Sequence, residues 1–135
     1  MKVVKQHPNY TEQARVAIKW LSGDELVELW ELSLEDRKCL LGNVSEIQLS
    51  KWTNEAILGR PIYLNDEIME RLSILLKIYK QLKMIAPSGR IKEGVRCFCK
   101  PNNNKLFSGV SPKEFIIKNG NLESFYIVLR YLHHN

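Results

Sequence analysis

Cys97-Phe98-Cys99 is the stretch of this 135-residue chain that most invites a chemical reading. Thiolates hold structural zinc when four ligands converge, and the usual pairing is Cys-x2–4-Cys. Here a single residue separates the pair, and the other candidate ligands, Cys39, His133 and His134, are scattered. On a helix, positions i and i+2 point about 200° apart, so the two thiols would not share a site. They read as small buried side chains, and no metal centre is expected. His133-His134 stands near a chain end, where neighbouring histidines are ordinarily exposed. No Ser/His/Asp set, Gly-rich phosphate loop or carboxylate pair has useful spacing. The sequence points to no catalytic residue and asks for no cofactor, so we expect a protein that is not an enzyme.

Charge separates the two halves of the chain. Residues 1–64 carry 8 Lys/Arg against 9 Asp/Glu, whereas residues 65–135 carry 12 against 6, and the whole chain is +5. Lys77 to Lys105 holds eight basic residues and one acid, Glu93. Such a run can attract nucleic acid or an acidic protein, or it can be a solvated face. At 44% hydrophobic and 26% charged the composition is that of a globular protein. No apolar run approaches the roughly 20 residues of a membrane span. MKVVKQHPNYTEQ has no stretch of signal-peptide length. Three cysteines cannot all pair internally, so reduced thiols in a cytosol are expected.

The elements that must position these residues read as helices. Thr11 can cap a helix to about Leu21, with Ala14, Ala17, Ile18 and Leu21 on one face. Asp24 can cap a second, with Leu26, Leu29 and Trp30 apolar. Ser33-Leu34-Glu35-Asp36 resembles a capping box, and Gly42 suits the end of the short helix that follows. Ser45 opens another to about Thr53, burying Ile47, Leu49 or Trp52. Residues 54–65 read as a linker or turn. Asn65 or Asp66 caps the longest helix, to about Ile85. Ile68, Leu72, Leu75, Tyr79 and Leu82 form one stripe on it, and Ile74, Ile78 and Ile85 a second. A helix apolar on two sides should be central. Ser88 can cap a helix over 90–99, although the alternation from Gly94 to Cys99 also fits a short strand. Pro112 after Ser111 starts a further helix, which Gly120 ends. Asn121 caps the last one, with Leu122, Phe125, Leu129 and Leu132 inward.

Two short capped helices joined by Gly42-Asn43-Val44 are the outline of a helix-turn-helix. Its second helix would show Ser45, Glu46, Gln48, Ser50 and Lys51 to DNA. Gln and Ser can read base edges. Lys51 is the only base in that set, however, and Glu46 repels phosphate, so the shape is better suited to DNA than the charge is.

From residue 70 onward the chain resembles the C-terminal domain of the Xre/MbcA/ParS antitoxins. The resemblance rests on features that occur in order: Leu75 to Tyr79 as Leu-x-x-Ile-Tyr, Pro101-Asn102, then Leu106, Phe107 and Gly109 as a hydrophobic-Phe-x-Gly turn, Ser111-Pro112, and Gly120 before a last helix. The first half is similar to the helix-turn-helix of those proteins in Trp30, Leu32 and Ser33, Leu40 to Gly42, and Trp52. Relatives have Trp-Leu where this chain has Cys97 to Lys100, and more Arg in the recognition helix.

The resemblance implies an all-α protein, with an N-terminal helix-turn-helix bundle over residues 1–60 and a small toxin-binding domain over residues 61–135. It implies a bacterial, cytoplasmic type II antitoxin that blocks a RES-domain toxin acting on NAD. The partners expected are that toxin and operator DNA, in a homodimer or a toxin–antitoxin hetero-oligomer. The residues expected to meet the toxin are Arg130, Tyr131, His133, His134 and Asn135, with Lys113 and Asn119 behind them. Leu106 and Phe107 are expected to fold back onto the core.

Overall fold

The computed structural model describes residues 8–134, and the side chains from Tyr10 onward. Among the described residues every regular element is helical. The helices are α1 (Pro8–Ser22), α2 (Asp24–Leu29), α3 (Leu34–Leu40), α4 (Glu46–Ile57), α5 (Asp66–Ile85), α6 (Ile91–Arg96), α7 (Pro112–Asn119) and α8 (Leu122–His133). A 3-10 turn, Cys97–Cys99, follows α6, so the strand alternative at Gly94 to Cys99 is not what forms.

Short polar side chains start most of these helices. Ser33, Ser45, Asn65, Ser111 and Asn121 each accept a hydrogen bond from the backbone amide three residues on, at 2.8 to 3.1 Å. At Ser33 the capping box is complete, because the Ser33 amide donates back to Asp36 Oδ2 at 3.1 Å. Other starts differ from the sequence reading. Helix α1 is already formed at Pro8, ahead of Thr11. The cap of α2 is Gly23, without a side-chain bond, and Asp24 is already helical. Ser88 lies in a turn closed by the Arg90 amide on the Pro87 carbonyl at 2.9 Å, so α6 starts beyond it.

The chain read as a linker after Thr53 is partly helix, since α4 runs on to Ile57. Ala56 is buried there, and α4 packs along α1. Leu49 and Trp52 are buried with it, whereas Ile47 points away.

Helix α5 is central, as its two stripes require. It meets α1 on one side and α8 and α6 on others. Ile74 and Ile78 are buried, but Ile85 is 40% exposed at the helix end. On α8 the inward residues are Phe125, Val128 and Leu132, with Val128 taking the place expected of Leu129.

One hydrophobic cluster joins the elements before and after residue 60. Trp30, at the end of α2, stacks on Phe98 with ring centroids 4.1 Å apart, and edges onto Trp20 and Tyr79. Its Nε1 donates to the Val95 carbonyl at 3.0 Å. The core therefore has no break at the boundary suggested by the sequence.

Helix α6 is held against the end of α5 by the absence of a side chain. A Cβ at Gly94 would lie 3.0 Å from Ala86 Cα and 3.2 Å from the Leu82 carbonyl oxygen. Those atoms are backbone and cannot swing aside. Glycine to alanine inside a helix ordinarily gains up to about 1 kcal/mol. At Gly94 the opposite sign is expected: Gly94→Ala should lose about 1–3 kcal/mol through overpacking, seen as a lower thermal midpoint. An unchanged or raised midpoint would mean that α6 is free to move off α5.

Candidate partner-binding surfaces

The loop over residues 101–111 is a shaped connection, and its asparagines supply the shape. The Asn102 side chain accepts from the Asn104 amide at 2.8 Å, and the Asn104 side chain from the Leu106 amide at 2.9 Å. Such local bonds replace secondary structure. The Asn102 amide donates to the Val110 carbonyl at 3.1 Å and closes the loop. Phe107 anchors it: the ring is buried and meets Phe115 and Tyr131 edge-on, at 5.4 and 5.0 Å. Leu106 does not follow it inward and is 39% exposed.

The exposed Leu106 opens onto a groove of about 490 Å³ lined by Asn104, Leu106, Ile127, Arg130, Tyr131 and His134. Three residues expected to meet a partner therefore share one surface. Tyr131 is held by Asn102, which donates to its hydroxyl at 3.2 Å. Arg130 pairs with Glu123 at 3.1 Å across an exposed face, a contact worth at most about 1 kcal/mol. Its guanidinium can therefore be redirected at little cost. His133 is exposed but is not part of the groove, and Asn135 lies outside the described residues. Asn119 is exposed and caps its own helix by donating to the Phe115 carbonyl at 2.7 Å.

Lys113 is placed differently from the expectation. It is 9% exposed, and its ammonium donates to the Trp30 and Glu31 carbonyls at 3.1 and 2.9 Å and to Asp36 Oδ2 at 3.1 Å. It ties α7 to the turn between α2 and α3, so its charge is spent inside the fold.

Sequence reasoning missed Ile127 and Asn104. Ile127 stands three and four residues before Arg130 and Tyr131, so helical spacing could have placed it beside them. Nothing in the sequence marks Asn104, which arrives by the return of the loop. It also missed Arg71, a buried cation on α5 that donates to the Gly120 carbonyl at 3.1 Å and lies 5.3 Å from the Phe125 ring centre. Gly42, with φ of +96°, leaves room for it: a Cβ there would sit 3.3 Å from Arg71 Nε.

The set on α4 is divided. Ser45 is the helix cap, Gln48 is half-buried, and Glu46, Ser50 and Lys51 are exposed. They line an open groove with Ile47, Asn54, Glu55, Leu58 and Arg60, in which two acids offset two bases.

Three members of the basic run are paired with acids. Arg90 pairs with Glu93, Arg96 with Glu28, and Lys100 with Glu31 at 3.2 Å. The Lys100 hydrogen bond, followed by that of Cys99, pulls the Glu31 carboxyl below the usual carboxylate range. The cysteines are free. Cys97 is exposed rather than buried, because the 3-10 turn points Phe98 inward and Cys97 outward. Cys99 is half-buried against the Leu29 carbonyl, and burial, then the Glu31 carboxylate, pushes its thiol pKa up. Among the described residues no group of His, Cys, Asp and Glu could hold a metal ion, and no helix is long and apolar enough to cross a membrane.

What these elements define is a helical protein with open grooves beside α8 and on α4. Compared with family models, curated proteins and solved structures, the chain has no match.

Proposed function

We propose that this chain is an antitoxin of a bacterial toxin–antitoxin pair, which binds a RES-domain toxin and occludes the site where that enzyme consumes NAD. The observation that carries this reading is the groove beside α8. It joins an exposed leucine to Arg130, Tyr131 and His134 at the end of the chain that bears the ordered Pro-Asn, Phe-x-Gly and Ser-Pro motifs. An apolar floor with a cation and hydrogen-bonding groups at its rim suits an enzyme mouth built for an anionic nucleotide. The antitoxin acts by occupying space, so it needs no catalytic group of its own.

Leu132 is buried, so removing residues 130–135 would damage the core along with the groove. Arg130→Glu leaves the core alone and reverses the charge. The adjacent reading frame is expressed alone and with this chain, and growth and cellular NAD are followed. The wild-type chain is expected to restore both. Arg130→Glu is expected to weaken toxin binding at least about tenfold, as for a charge in an interface. Full protection by Arg130→Glu, with undiminished toxin affinity, would remove the groove from the reading.

Operator binding is the second reading, through α3 and α4 as a helix-turn-helix. The Gly42 turn between two capped helices favours it. The charges do not, because phosphate binding needs an excess of bases and the α4 groove has none.

A further inference from the structure

Trp20 stands near the end of α1 and Tyr79 on α5, and both rings are half-buried. Their centroids are 5.6 Å apart and their planes 74° apart, so they form two walls of a corner. Trp30 fixes the angle of that corner. It is fully buried and meets Trp20 edge-on at 5.7 Å and Tyr79 edge-on at 6.1 Å. The two rings line a recess of about 240 Å³ together with Leu26, Leu29, Asp24 and Glu25 of α2. A water takes about 30 Å³ in the liquid, so the recess admits a ligand of on the order of eight water-sized groups.

The lining selects the charge of that ligand. Leu26 and Leu29 are buried and apolar, whereas Asp24 and Glu25 are exposed and stand at the opening. Among the described residues the ion pairs use other acids and leave these two carboxylates unpaired. An aromatic face is electronegative and attracts a cation. Two ring faces and two carboxylates therefore repel phosphates and favour positive charge. Lys83 shows the attraction within the chain: its Nζ lies 5.3 Å from the centre of the Tyr79 ring, although Lys83 does not line the recess.

The shape narrows the choice among cations. Calcium takes about six to eight oxygen ligands, which two carboxylates beside leucines and ring faces do not supply. A guanidinium is flat and stacks on a single face. Two walls near a right angle instead flank a rounded ammonium group on two sides. Leu26 and Leu29 offer apolar contact to its carbon stem.

We propose that this recess is a binding site for an alkylammonium group, carried by a free polyamine or by a lysine of another protein. Two ring faces and two solvated charges make the binding weak, with a Kd on the order of 1 mM. The site shares no residue with the α8 groove, so it stands independently of the antitoxin reading.

Nuclear magnetic resonance on the full chain reads the indole N–H signals of Trp20, Trp30 and Trp52 separately. Putrescine added to about 30 mM, well above that Kd, should shift the Trp20 signal saturably and leave Trp52 in place. Nα-acetyl-lysine amide is the peptide counterpart, and the tighter of the two amines identifies the source. Butane-1,4-diol, the neutral analogue of putrescine, should not move Trp20, nor should sodium chloride at matched ionic strength. Asp24→Asn combined with Glu25→Gln should weaken binding at least about tenfold, as expected for two charges beside a bound ion. Both side chains are exposed, so the thermal midpoint should shift little. No saturable shift with either amine, an equal shift with the diol, or undiminished affinity in the double variant overturns the proposal.

Discussion

Replacing Trp30 by alanine is expected to lower the unfolding free energy by about 3–5 kcal/mol, the upper range for a single core truncation. The reason is position as well as size. Trp30 is fully buried and stands where Trp20, Tyr79 and Phe98 meet, so its ring joins α1, α2, α5 and the 3-10 turn. Removing it leaves a cavity whose walls belong to different elements, and none can move in without leaving its own packing. The Val95 carbonyl also loses its indole donor. Domains of this size have about 5–15 kcal/mol in total, so the variant should lose a large share of it. Urea denaturation followed by circular dichroism measures the loss. Trp30→Phe separates the two contributions, because it keeps much of the apolar volume and drops the hydrogen bond. Its cost should be well below that of alanine. A Trp30→Ala chain as stable as the wild type would mean that the two ends of the sequence do not share a core.

Lys113→Met should cost about 2–3 kcal/mol, at or just below the lower end of the range for breaking a buried ion pair because Asp36 keeps some solvent. Methionine keeps the aliphatic stem and removes the charge. Three acceptors lose a donor at once: the Trp30 and Glu31 carbonyls and the Asp36 carboxylate. The turn at Glu31 makes the loss larger than the pair alone. Glu31 has φ of +49°, the left-handed conformation that usually falls to glycine at the end of a helix. The Leu32 amide reaches the Val27 carbonyl at 3.0 Å to close that turn. A left-handed non-glycine residue costs about 1–2 kcal/mol, and Lys113 holds it from outside. Glu31→Gly in the Lys113→Met background should therefore recover part of the loss. A double-mutant cycle of Lys113→Met with Asp36→Asn should show a coupling of about 1 kcal/mol or more. Additive losses would mean that the carboxylate and the ammonium act separately.

Much of the local structure was legible because its causes are local. Ser33, Ser45, Asn65, Ser111 and Asn121 cap their helices by bonds to amides three residues away, and no distant part of the chain is needed for that. The two stripes of α5 foretold a central helix for the same reason: helical periodicity puts them on two separate faces, roughly 100° apart, whatever packs there. The reading failed where a neighbour decided. Ile47 and Leu49 are both apolar and both on α4, and only the position of α1 makes one buried and the other exposed. Leu106 and Phe107 are adjacent, and the Asn102 and Asn104 turns sent one ring inward and left the other side chain in the groove.

The candidate site divides along the same line. Arg130, Tyr131 and His134 were legible as a polar helix end. Their junction with Leu106 was not, since it depends on a loop folding back from some twenty-five residues earlier in the sequence. The sequence by itself determined a helical chain, the starts of most helices, the central place of α5 and the turn chemistry after Pro101. Each of these follows from bonds or periodicities within a few residues. Only the tertiary structure decided that Lys113 and Arg71 are interior cations, that Gly94 is a point of backbone contact, and that one core spans both halves. Those are properties of pairs of surfaces far apart in the chain, and no spacing within either surface encodes how they meet.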